Sequence, residues 1–159
     1  MAKQQKAGKK FKYGLETVLK VREIKEKKEQ EKFAEKNREY LTEKEKEEAI
    51  KENKRRKEEE LRGVFKKGPI SDFSKVIRRR AHIDILKTDL DDQVEKVIEA
   101  SKKLEEQRAR LVESMKDKQI MEKHKEKKLD QYKKVMNDLE LKFMDELATQ
   151  RYKKPEGQG

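Results

Sequence analysis

Half of the 159 residues are charged and only 31% are apolar, with a net charge of +11 and no cysteine. An ordinary globular domain is about 45–50% apolar, so a conventional packed core is excluded, and so are disulfides and thiolate chemistry. Of the remaining classes, extended helix is favoured over disorder, because Ala, Leu, Glu, Lys and Arg exceed half the chain while prolines number only two.

The charged N-terminus is followed by no apolar run, and nowhere do 18 apolar residues stand together. Neither a signal peptide nor a membrane span is expected, and the expected location is cytoplasmic.

A first helix is expected over about 13–62. Leu15, Val18 and Leu19 open it, Phe33, Tyr40 and Leu41 mark its middle, and Leu61 closes it. Between Thr42 and Glu60 only Ala49 and Ile50 are apolar. Local helicity there rests on charge: Glu23 with Lys27, Glu47 with Lys51 and Glu52 with Arg56 stand at i,i+4, each worth about 0.2–0.5 kcal/mol.

The segment "RGVFKKGPISDF" (62–73) then gathers the turn signals, and a turn is expected over 63–71. Gly63 is placed to cap the first helix in the left-handed region, Gly68-Pro69 blocks continuation, and Ser71 or Asp72 offers an N-cap oxygen. The second helix is expected over about 72–150. From Val76 one heptad lane reads Val76, Ile83, Leu90, Val97, Leu104, Leu111, Lys118, Lys125, Tyr132, Leu139, eight of ten apolar or aromatic. The complementary lane, taken four residues on, is patchier: Arg80, Lys87, Val94, Ser101, Arg108, Met115, Glu122, Leu129, Met136, Phe143.

Neither helix can bury its stripe alone, so the expected architecture is all-α, a single two-helix antiparallel coiled-coil hairpin with a longer C-terminal helix and basic flexible termini. At 1.5 Å per residue the helices span roughly 75 Å and 118 Å. Pairing outward from Lys67 sets Leu61 beside Phe73, Tyr40 and Leu41 near Val94, and Leu15 near Gln119. Everything past about Leu129 overhangs unless residues 2–12 extend the first helix. That overhang is rich in apolar residues: Leu129, Tyr132, Val135, Met136, Leu139, Leu141, Phe143, Met144 and Leu147. Each is worth about 1.5–3 kcal/mol when buried, so a cover is implied. A folded-back N-terminal segment, a second copy and an external partner all meet the requirement.

Lys3, Lys6, Lys9, Lys10 and Lys12 at one terminus and Arg151, Lys153 and Lys154 at the other form basic clusters. They suit an acidic protein cavity, a phosphate backbone, an anionic membrane surface, or simply solvent. "AGKK" (7–10) lacks the spacing of a phosphate-cradling loop, and His82 and His124 belong to no set with metal-ligand spacing. Both histidines are expected to be solvent-exposed. No catalytic residue, metal or cofactor is assigned, nor a small-molecule substrate. A nucleic-acid binder or tether is the rival class, although acids interleave with the bases and no stacking motif is present.

"FKYGLETVLKVREIKEKKEQEKFAE" from Phe11 and "DELATQRY" (145–152) resemble the two ends of the FliJ family, the coiled-coil component of bacterial flagellar type III export. The resemblance covers nearly the whole chain, including the central turn, and the injectisome stalk proteins are a near alternative. It implies a non-enzymatic stalk, similar to that of rotary ATPases, whose paired ends enter the hexameric export ATPase. Further along, such a stalk contacts the cytoplasmic domain of the membrane export gate, and it is linked to escort of export chaperones. Such a protein works in the cytoplasm, peripherally associated with the inner face of the membrane. On the resemblance, Leu15, Val18, Leu19 and Arg22 match the opening motif and Asp145, Glu146, Leu147, Ala148 and Arg151 the ending. With Tyr132, Met136, Leu139 and Phe143 of the apolar overhang, they are the ATPase-facing candidates. Tyr40, Leu41, His82, Ile83, Leu86, Leu90 and Gln93 fall on the gate-facing pattern. "VIRRRAH" (76–82) departs from that pattern, which often carries tyrosines there.

Overall fold

A computed structural model describes residues 10–152. Two helices, α1 (Glu16–Lys66) and α2 (Phe73–Tyr152), are joined by a turn over 67–72. They run antiparallel, because Glu29 meets Gln107 while Glu43 meets Gln93. The fold is the expected all-α helical hairpin.

The turn differs from expectation in detail. α1 continues through Gly63 to Lys66, so Gly63 is a helical residue and not the cap. Left-handed backbone falls instead on Gly68, at φ 111°, where the absence of a Cβ removes the steric cost and Pro69 follows. Of the two candidate N-caps, Asp72 serves: its Oδ1 accepts the Ser74 amide at 3.0 Å. Residues 10–15 are irregular, not helical, so α1 starts at Glu16. The basic residues Lys3, Lys6, Lys9, Lys153 and Lys154, and the expectation of flexible termini, lie outside the described residues.

The chain packs as two compact units. The turn unit comprises residues 26–114, and the termini unit residues 10–25 together with 115–152.

In the turn unit, one run of shielded positions crosses α1 at 26, 29, 33, 36, 40, 43, 47, 50, 54, 57, 61 and 64 in alternating steps of three and four, with 37, 53, 58 and 63 half-shielded beside it. The matching run of α2 is 83, 86, 90, 93, 97, 100, 104, 107, 111 and 114, with Val76 and Val94 half-shielded outside it. The lane through Ile83, Leu90, Val97, Leu104 and Leu111 is the one the sequence displays. Its companion lies three residues on, not four: Leu86, Gln93, Ala100, Gln107, Ser114. Arg80, Lys87, Ser101 and Arg108 therefore face solvent. Three of its five members are polar, so a search for apolar periodicity passes over it.

Two of its polar members form a repeated clamp. Gln107 Nε2 donates to the Glu29 carbonyl oxygen at 3.2 Å and to Glu29 Oε2 at 2.6 Å. Gln93 Nε2 does the same with Glu43, at 3.0 and 2.6 Å. The clamps are two heptads apart on both helices, which ties one register at two points, the role polar groups best serve in a coiled-coil seam. Each Glu also accepts from a lysine three residues on, Lys32 at 2.9 Å and Lys46 at 2.6 Å. Those lysines first, and the glutamines second, hold both carboxyls below the ordinary carboxylate value. Ser114, 1% exposed, donates to the Leu111 carbonyl at 2.9 Å. Among the described residues no buried side-chain polar atom lacks a partner.

Of the expected i,i+4 pairs, Glu47–Lys51 closes at 2.5 Å. Glu52 instead takes Arg55 at 2.9 Å, while Arg56 donates to Asn53. A three-residue step places these side chains as close on a helix as a four-residue one.

Candidate protein-binding surface

The termini unit is organised around Tyr13, which is 8% exposed. Its hydroxyl lies 2.7 Å from His124 Nδ1 and 3.5 Å from the Met121 carbonyl oxygen, with the two rings 5.6 Å apart. His124 is therefore a half-buried hydrogen-bond partner and not an exposed residue, whereas His82 does face solvent. Lys125 Nζ sits 5.9 Å from the centre of the Tyr13 ring and pairs with Glu16 at 2.8 Å. Arg22 pairs with Asp117. Leu19, 4% exposed, is the aliphatic anchor beside this polar set.

These contacts move the expected pairing. Tyr13 with His124 and Glu16 with Lys125 set Leu15 several residues beyond Gln119 along α2. Phe11 goes further and lies against Tyr132, ring centres 5.6 Å apart. Extended chain climbs about 3.3 Å per residue against 1.5 Å in a helix, so the irregular segment covers more of α2 than a continued helix would.

The shielded positions of α2 in this unit are 117, 118, 121, 122, 124, 125, 129, 132 and 136. Met121, Lys125 and Leu129 follow one another in two steps of four, and Tyr132 and Met136 resume the three-four alternation. Two successive four-residue steps are a stutter, which locally unwinds the seam. Shielding ends at Met136, so the uncovered stretch begins there and not at Leu129.

Past that point every residue of α2 is exposed. Leu139, Phe143 and Leu147 stand at successive steps of four, 53%, 55% and 40% exposed, with Leu141 and Met144 both at 64%. Steps of four keep side chains on one helical face, so the first three form a continuous apolar stripe. Leu15 and Val18 are also about two-fifths exposed. Asp145, Glu146, Ala148 and Arg151 are solvent-facing, Tyr132 and Met136 half-buried, Leu19 enclosed. The ATPase-facing candidates thus share one unit. Leu19 and Arg22 are already engaged within it.

The gate-facing candidates lie in the turn unit. Ile83, Leu86 and Gln93 are buried in the seam, and Tyr40 and Leu90 are half-buried. Leu41 and His82 are exposed. The residues that sequence reading missed are Phe11, Tyr13 and His124 in one unit and Glu29, Glu43 and Gln107 in the other. Phe11 and Tyr13 precede the helix, where periodicity says nothing. The glutamines show only as a regular fourteen-residue interval inside the seam.

Among the described residues no group of three or more His, Cys, Asp or Glu is arranged to hold a metal, and no helix is long and apolar enough to cross a membrane. What the geometry presents is a two-helix coiled-coil hairpin whose distinctive chemistry is exposed apolar surface. The family model described as flagellar FliJ protein matches residues 11–157, and the chain belongs to that family, one of flagellar type III export components. A solved structure of a YscO homolog, CT670 of Chlamydia trachomatis, is similar in fold, with a TM-score of 0.52 and 24% identity, covering 90% of this chain and 96% of that one. No match is found among curated proteins.

Proposed function

We propose that this protein is a non-enzymatic stalk of the flagellar type III export apparatus that binds the hexameric export ATPase through its termini unit. The observation that carries this reading is the apolar stripe of Leu139, Phe143 and Leu147, left uncovered where shielding stops at Met136. Five large apolar side chains held in water over so short a stretch favour a protein partner. Leu15, Val18 and Arg151 are further exposed candidates in the same unit, Tyr132 and Met136 lie where shielding ends, and Leu19 and Arg22 hold α1 against α2.

On this reading, binding promotes assembly and hydrolysis by the ATPase and couples it to the cytoplasmic domain of the export gate. Leu41 and His82 are the direct gate contacts, flanked by Tyr40 and Leu90. Ile83, Leu86 and Gln93 support them by keeping the helices in register. Export chaperones are further partners, and the protein works in the cytoplasm at the inner face of the membrane. The family match favours the flagellar over the injectisome system.

The test is hydrolysis and hexamer formation by the cognate export ATPase with the wild-type protein and with Leu139→Asp/Phe143→Asp. The wild type is expected to stimulate and the variant to lose most of that effect. Equal stimulation by both overturns the assignment of the stripe.

A further inference from the structure

The turn unit carries a second surface that the stalk reading leaves unused. Residues 61–80 contain seven cations, Arg62, Lys66, Lys67, Lys75, Arg78, Arg79 and Arg80, and a single acid, Asp72. All seven are exposed. Asp72 is occupied, capping α2 and lying 3.8 Å from Lys75. The flanking stretches are different in kind. Residues 26–60 hold twelve cations and thirteen acids, and residues 81–114 hold six and nine. The positive charge of this unit is therefore concentrated at its turn.

Acids of the adjoining stretch offset it only in part. Glu60 accepts from Lys57 at 2.9 Å and also acts on Arg79, while Glu58 lies 3.8 Å from Lys54 and lines the hollow of Arg62 and Arg80; these two acids face seven cations. Large apolar side chains stand among the cations: Phe65 is 56% exposed, Phe73 66% and Ile77 64%. Phe65 shares a shallow hollow with Arg62 and Arg80. Lys67, Lys75 and Arg79 line another around Gly68 and Pro69.

From this juxtaposition we infer that the turn is a docking surface for an anionic lipid bilayer. Lys and Arg contact the headgroup phosphates, and Phe65, Phe73 and Ile77 enter the interfacial zone. Charge complementarity names the sign of the partner, and the exposed apolar residues choose among anionic partners. Polybasic segments are drawn to anionic leaflets, and apolar side chains beside them add binding by burial at the boundary between headgroups and acyl chains. A phosphate backbone would use the cations and leave those apolar side chains in water, because nothing here forms a stacking platform along a strand-tracking groove. The inference is independent of the ATPase reading, which rests on the other unit.

The experiment is co-sedimentation of the full chain with vesicles of phosphatidylcholine alone or mixed with phosphatidylglycerol, with and without competing duplex DNA. Wild type is expected on the anionic vesicles only. Arg78→Gln/Arg79→Gln/Arg80→Gln should weaken that binding about 10- to 100-fold, and Phe65→Ala/Phe73→Ala about 5-fold, with helical circular dichroism unchanged. A variant with Lys3, Lys6, Lys9, Lys10 and Lys12 all changed to Gln should retain the turn-dependent part. The inference is overturned by equal binding to neutral vesicles, or by no binding to anionic ones. It also fails if binding survives the arginine changes and disappears with the N-terminal lysines. Displacement by DNA, with no effect of Phe65→Ala/Phe73→Ala, would make the turn a nucleic-acid surface instead.

Discussion

The two units apply the same packing rule to different ends. The turn unit closes an unbroken heptad seam with polar clamps, Gln93 on Glu43 and Gln107 on Glu29, and leaves no buried polar atom unpaired among the described residues. The termini unit closes with an irregular segment, Tyr13 on His124 and Phe11 on Tyr132, then stops at Met136 and leaves an apolar stripe exposed. In the first, a seam poor in apolar area obtains its register from directional hydrogen bonds. In the second, apolar area is kept outside the hairpin, where it is free for a partner.

The contrast predicts which changes alter function and which alter stability. The largest effect expected is loss of most ATPase stimulation in Leu139→Asp/Phe143→Asp, with thermal unfolding shifted little, because exposed positions contribute within about 0.5 kcal/mol. A large drop in melting temperature for that variant would show that the stripe is core after all. Next comes one enclosed aliphatic taken from each unit. Leu19→Ala and Ile83→Ala, each residue 4% exposed in the wild type, should cost about 2–5 kcal/mol in urea unfolding. Similar losses would show that both units depend on aliphatic anchors. A small loss at Leu19 alone would assign closure of the termini unit to its aromatic contacts.

Removing a clamp ranks third. Gln93→Ala and Gln107→Ala should each cost about 1–3 kcal/mol, since a shielded carboxylate and carbonyl lose their donor. The two costs should be additive, because the sites are two heptads apart. Strong non-additivity would reveal that one clamp sets the register for both.

The pH dependence comes fourth. Glu29 and Glu43 are held below the ordinary carboxylate value, by Lys32 and Lys46 first and by the glutamines next. A depressed folded-state value means that their stabilisation is complete above the unfolded value of about 4.3 and is lost as pH falls through the folded one. Melting temperature should therefore decline as the solution is acidified from about pH 5, and Glu29→Gln/Glu43→Gln should flatten that decline. An unchanged slope would remove these carboxyls from the account.

The smallest effects separate the two glycines near the turn. Gly63→Ala should stabilise α1 by about 0.5–1 kcal/mol, since an added Cβ meets nothing within 4 Å. Gly68→Ala should destabilise, because φ 111° disfavours any side chain. Destabilisation by both would mean that α1 ends at Gly63 in solution.

How much was legible follows from these same residues. One lane, from Ile83 to Leu111, could be read because its side chains are apolar, and the reversal could be read because Gly68-Pro69 cannot continue a helix. The second lane could not, since Gln93, Gln107 and Ser114 resemble surface residues until a neighbouring helix supplies their partners. His124 looked like an exposed histidine for the same reason: its partner, Tyr13, lies 111 residues away.

Composition and periodicity by themselves determined that this chain is helical, reverses once near residue 68, and carries more apolar surface at the end of α2 than a hairpin can bury. These are local properties, set by backbone sterics and by the 3.6-residue turn. Tertiary structure decided which polar residues enter the seam, where α2 changes step, and that shielding stops at Met136. Each of these depends on register between distant segments, and register is settled by hydrogen bonds and ring contacts that exist only once both helices are in place.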